Sequence, residues 1–122
     1  QPVIEGINHR GHPQTFKSET IETVLKPRQQ LEYMAKMNAG EVMIYSWEVD
    51  GRVYHDLHGH EDGIKPDIWI RYIDGEAPGR NGSVVAPYTG EHGWYWANLD
   101  SRPVTLRLRV SGYYTELYRI DL

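Results

Sequence analysis

Val104, Leu106, Leu108 and Val110 alternate with Thr105, Arg107 and Arg109. A period of two places the four aliphatics on one face of a strand and the two arginines on the other. Just upstream, His92, Trp94, Trp96 and Asn98 share one parity, and Gly93, Tyr95, Ala97 and Leu99 share the other. This predicts a second strand, aromatic on both faces. The turn cluster Asn98-Leu-Asp-Ser-Arg-Pro103 separates the two, and a proline can open a strand without a donor. The expectation is two adjacent antiparallel strands.

The same alternation recurs along the chain. Ile21, Thr23 and Leu25 alternate with Thr20, Glu22 and Val24, and Leu31, Tyr33, Ala35 and Met37 alternate with Glu32, Met34 and Lys36. The runs 41–49 and 52–58 flank Asp50-Gly51, a pair suited to a type I′ hairpin. Such a hairpin would set Trp47 opposite Tyr54, Tyr45 opposite Asp56 and Met43 opposite His58. Further strands are predicted at 67–73, 83–88 and 113–122. About eight or nine short strands with frequent turn signals predict an all-β chain, a single antiparallel β-sandwich of jelly-roll type. Its expected extent is residues 20–122. Residues 1–19 show no sustained period and read as an extended lead-in or linker.

Composition narrows the function classes. A net charge of −4 argues against nucleic acid as a partner, because phosphate binding wants a basic face. Without cysteine there is no disulfide, thiolate metal site or cysteine nucleophile. No apolar run is long enough to span a bilayer as a helix, so membrane attachment would come only through a segment outside this chain. The absence of an initial methionine, with Gln1-Pro2 at the start, fits removal of a preceding segment. Nine tyrosines and four tryptophans against one phenylalanine point to amphipathic aromatics at pocket rims as well as in the core.

Three candidate chemistries follow. His58 and His60 share strand parity, whereas His55 has the opposite one, so His-x-His with His92 is the plausible three-nitrogen metal set. Imidazoles among carboxylates suit a divalent transition metal such as zinc, copper or nickel. Trp47, Tyr54, Trp94, Trp96 and Asn98 form the candidate ligand-binding surface, with carbohydrate stacking on Trp94 and Trp96, or on a platform that adds Trp47 and Trp69, as one use. Glu48, Asp56, Glu61, Asp62 and Glu91 have no spacing that pairs two carboxylates for acid–base work. Asn81-Gly82-Ser83 is a glycosylation pattern that also reads as turn chemistry.

Gly51, His58, His60 and Glu61, followed by Gly82, Pro87, Gly90, His92 and Asn98, resemble the two motifs of cupins in order, with several spacings displaced. That resemblance implies a metal at His58, His60 and His92. The strings YSWEVDG (45–51), DLHG (56–59), GSVVAPYTGEHGWYWAN (82–98) and PVTLRLRVSGYY (103–114) resemble a family of bacterial membrane-anchored extracytoplasmic domains. That family joins one N-terminal membrane helix, through a linker, to a β-rich domain. The order of elements is also similar, more loosely, to Golgi-dynamics-type sandwiches. The resemblance implies a periplasmic or extracytoplasmic domain, anchored in the inner membrane by a preceding helix. The function expected is non-catalytic: binding a small ligand, metal or protein partner of the cell envelope through a Trp/His surface.

Overall fold

The computed structural model describes residues 8–122. Among them, nine strands and no helix form two antiparallel sheets. The strands are β1 (Phe16–Leu25), β2 (Gln30–Met37), β3 (Val42–Val49), β4 (Val53–Glu61), β5 (Ile70–Glu76), β6 (Gly79–Val85), β7 (Gly90–Asn98), β8 (Val104–Tyr113) and β9 (Glu116–Asp121). One sheet has the order β1-β8-β3-β6 and the other β5-β4-β7-β2-β9. The chain is thus an all-β sandwich of the expected class.

Alternation sets which side chains enter the sandwich. Val104, Leu106, Leu108 and Val110 on β8 are all buried and share one core with Trp94 and Trp96. Each such aliphatic side chain contributes about 1.5–3 kcal/mol through burial. The aromatic centre is continuous. Trp94 and Trp96 stack with centroids 6.1 Å apart, Trp47 meets Trp96 edge-on at 5.8 Å, and Tyr45 meets Trp94 at 5.2 Å.

Strand neighbours differ from the sequence expectation at two places. Asp50-Gly51 is not a hairpin turn: β3 pairs with β6 and β8, while β4 pairs with β5 and β7. A type I′ turn needs positive φ at both central residues, and neither Asp50 nor Gly51 has it. Instead the segment arches from one sheet to the other and is tied to the β7–β8 loop. Asp50 Oδ1 accepts from Thr105 N at 2.8 Å, and Arg52 N donates to Asp100 Oδ2 at 2.9 Å. Trp47 and Tyr54 are therefore not cross-strand partners. Likewise β7 and β8 are consecutive but lie in opposite sheets. Among the described strands, β4 and β5 are the one consecutive pair that shares a sheet; every other connection crosses the sandwich.

β1 begins at Phe16, so residues 16–19 of the expected lead-in are strand. Their polar character hid this, because they extend the edge of the sheet rather than its core. The ladder runs from Phe16↔Tyr113 to Leu25↔Val104, and Tyr114 donates to Glu19 Oε2 at 2.5 Å. Residues 1–7 of the expected lead-in lie outside the described residues.

Candidate functional site

The outer face of the five-stranded sheet carries a cleft of about 570 Å³. Its floor follows from register. On the central strand β7, Gly93 lies between His58 of β4 and Met34 of β2. Gly93 has no side chain, and Met34 places its sulfur over it, 2.9 Å from where a Cβ would stand, so Met34 is the cleft residue at this rung. Tyr95, one rung along, stands between Asp56 of β4 and Glu32 of β2. The β4–β5 loop supplies a roof carrying Pro66 and Trp69. His60 Nε2 donates to the Lys65 carbonyl at 3.0 Å and ties that roof to β4.

A β-bulge shapes the β5 side. Leu57 pairs with Ile73 but His58 pairs with Arg71, leaving Tyr72 as the extra residue. The bulge sends Tyr72 inward and leaves Arg71 beside His58 on the cleft side, the re-aiming that bulges provide. Arg71 donates through Nε and Nη2 to Asp56 Oδ2 at 3.0 and 2.9 Å. Its guanidinium also lies 5.1 Å from the Trp69 ring centroid, within cation–π range.

His58 is the electrostatic centre. Its Nδ1 lies 3.1 Å from the Asp56 carbonyl oxygen, and its Nε2 lies 2.9 Å from Glu32 Oε2. Both partners can accept, so this geometry favours the doubly protonated ring of His58. Burial pulls its pKa down, but the bonds to Glu32 and the Asp56 carbonyl, with the charges of Glu32 and Asp56, outweigh burial and raise it. Asp56 is only 6% exposed, and its Oδ1 has no hydrogen-bond partner among the protein atoms. Tyr95 has a raised pKa, from burial first and then from the charges of Glu32 and Asp56. Tyr54 donates to Asp74 Oδ2 at 2.7 Å and packs edge-on against Tyr95.

The expected three-histidine metal set does not form. His58 and His60 line the outer cleft, whereas His92 is fully buried on the inner face. The register explains this: His92 pairs with Gly59, whose parity is opposite to that of both histidines. His92 Nε2 donates to the Tyr88 carbonyl at 3.1 Å, and Nδ1 accepts from the Tyr72 hydroxyl at 2.9 Å. A Cβ at Gly59 would lie 2.5 Å from both the Tyr72 and Tyr88 hydroxyls and 2.7 Å from His92 Nδ1, so these three side chains pack directly against the Gly59 backbone. Among the described residues no group of three or more His, Asp or Glu is arranged to hold a metal.

The expected ligand residues are also redistributed. Trp47, Trp94 and Trp96 are core, unavailable for stacking on a sugar. Asn98 is buried and structural: its Nδ2 donates to the carbonyls of Leu25, Lys26 and Arg102, and its Oδ1 accepts from Asp100 N. Tyr54 does line the cleft, and the tryptophan that lines it is Trp69, 45% exposed. The residues missed from sequence are Glu32, Met34, Arg71 and Tyr95; Trp69 was read only as a stacking tryptophan and Glu91 only as an unpaired carboxylate. The shared parity of Tyr54, Asp56, His58 and His60 was the signal for their face, but which strands lie beside β4 was not legible.

No protein-family model matches this sequence, and neither does any curated protein. Among solved structures, the chain is similar to a de novo designed double-stranded beta-helix determined by solution NMR. The two share 16% identity over 75% of this chain and 97% of that one, with a TM-score of 0.43.

Proposed function

We propose that this chain is a non-catalytic binding domain that holds a small organic ligand in the outer-face cleft around His58. The observation that carries this reading is a cleft floored by Met34 and lined by aromatic and charged side chains, with one buried acceptor, Asp56 Oδ1, left unpaired. Buried acceptors are normally satisfied, and a convergence of polar groups in a largely apolar cleft is the usual form of a ligand site. The charged groups are fixed by one another, Glu32 to His58 and Asp56 to Arg71, which suits holding a ligand in one orientation.

The test is a panel of small polar and charged compounds, read by amide chemical shifts and by the fluorescence of Trp69. A binder should shift His58, Gly93 and Tyr95 together and lose affinity in His58→Ala. Turnover of a bound compound that disappears in His58→Ala, with the fold retained, would replace the binding reading with an enzymatic one.

The location we propose is extracytoplasmic, with an inner-membrane anchor preceding the domain, and it rests on the family resemblance of residues 45–51, 56–59, 82–98 and 103–114. Protease accessibility of the full-length protein in spheroplasts tests it; complete protection in spheroplasts and digestion only after lysis would refute it.

A further inference from the structure

The class of ligand follows from how the cleft's own charges are arranged, on the reading that the cleft binds a small molecule. The ionic groups of its floor already have partners. Glu32 Oε2 lies 2.9 Å from His58 Nε2, and Arg71 Nη2 lies 2.9 Å from Asp56 Oδ2. Glu91 accepts from the Tyr118 hydroxyl. A ligand ammonium would meet His58 and Arg71, and a ligand carboxylate would meet Glu32, Asp56 and Glu91. Drawing either resident pair apart would leave its second member uncompensated in a partly desolvated site, which is costly. The occupant that disturbs neither pair carries no charge.

Hydrogen-bonding capacity nevertheless remains. Arg71 uses Nε and Nη2 on Asp56, and its side chain is 46% exposed. A guanidinium has more N–H groups than these two bonds occupy, so donors are left for a ligand. Glu32 meets His58 through Oε2, which leaves Oε1 as an acceptor. Tyr95, between Glu32 and Asp56 on one rung, carries a hydroxyl that can do both. Donors and acceptors are thus mixed over two neighbouring rungs of the sheet. An ammonium only donates and a carboxylate only accepts, whereas a hydroxyl does both.

The rest of the lining is apolar. Met34 stands on the floor and Ile120 beside Glu32, under a roof of Pro66 and Trp69. Trp47, Trp94 and Trp96 are buried, and Trp69 is the tryptophan that stays exposed. Its ring already serves as a stacking surface, because the Arg71 guanidinium lies over it. We propose that the cleft takes a neutral saccharide, with the C–H face of one ring against Trp69 and the hydroxyls on Glu32, Arg71 and Tyr95. An aromatic side chain beside mixed donors and acceptors matches the two characters of a sugar, an apolar ring face and a rim of hydroxyls.

The probes are disaccharides titrated into the intact chain. Cellobiose, maltose and N,N′-diacetylchitobiose are neutral; deacetylated chitobiose and cellobiouronate place a positive and a negative charge on the same β-1,4 frame. Binding is read by the Trp69 indole N–H and the His58 and Tyr95 amide shifts. At least one neutral disaccharide should move all three signals, and the tightest of them should bind at least about tenfold tighter than either charged one, a difference of about 1.4 kcal/mol. Trp69→Ala should weaken that binder at least about tenfold with the amide shifts of the core strands unchanged, and Trp69→Phe should restore part of the loss. Equal or tighter binding of a charged disaccharide would overturn the neutral saccharide while leaving a ligand cleft in place. So would affinity for the neutral binder that Trp69→Ala leaves unchanged. If no disaccharide moves these signals, the saccharide is overturned; if the broader panel of small polar and charged compounds also leaves them unmoved, the binding reading falls with it.

Discussion

Gly93→Ala tests the close approach of β2 and β7 directly. An ideal Cβ at this position would lie 2.7 Å from Met34 Cα and 2.9 Å from Met34 Sδ, and closest of all to the Tyr33 carbonyl oxygen. Two of these three atoms are backbone, so a change of rotamer cannot relieve the clash. β2 and β7 must separate, and their ladder runs from Gln30↔Ala97 to Met37↔Gly90 at the middle of the five-stranded sheet. Overpacking of a well-packed site costs about 1–3 kcal/mol, and a backbone clash belongs at the upper end, about 2–3 kcal/mol. Over 122 residues, an unfolding entropy of about 2.1 cal/mol/K per residue makes this a fall in Tm of roughly 8–12 °C. Thermal melts by circular dichroism and urea titrations measure it. Gly11→Ala is the control: nothing lies within 4 Å of its Cβ position and its φ is ordinary, so its effect should stay within about 0.5 kcal/mol. A Gly93→Ala protein melting within about 2 °C of the parent would refute the argument that this glycine is required by close strand approach.

Two further predictions follow from buried polar groups. His58 has a raised pKa in the folded state, so its contribution to stability is fully present below its unfolded value of 6.5 and is lost as pH rises through its folded value. His55 and His92 are shifted down, by burial first, so their contributions run the other way: present above 6.5 and lost as pH falls below it. Urea titrations of the parent and His58→Gln isolate the first effect. The difference between them should be larger near about pH 5.5 than near about pH 8, and a difference independent of pH would exclude an imidazolium at this position. Asn98→Ala removes a side chain that serves three carbonyls and one amide N–H between β1, β7 and the β7–β8 loop. Leaving such groups buried and unpaired should cost about 2–3 kcal/mol, read by the same titrations, and a cost under about 0.5 kcal/mol would contradict the structural role.

Reading the site from sequence succeeded where the question was one of parity. Parity put His58 and His60 on one face of β4, and both line the cleft. It failed where the question was which face belongs to whom. His92 was grouped with His58 and His60 by residue type and order, but a single-residue difference in ladder position puts it on the other side of the sheet. The tryptophans of β7 were as consistent with a rim as with a core, since an aromatic strand reads alike in both. Arg71 reached the cleft through a bulge that no local signal announced.

Alternation of apolar and polar residues determined by itself that the chain is built of strands, and which side chains of each strand travel together; that is a local property of extended backbone. Only the tertiary structure decided the neighbours of each strand. The backbone ladder uses N–H and C=O groups that every residue but proline possesses, so hydrogen bonding allows many pairings. The choice fell to burial across two sheets at once, which turned Asp50-Gly51 into a crossing between layers and set Gly93 between His58 and Met34.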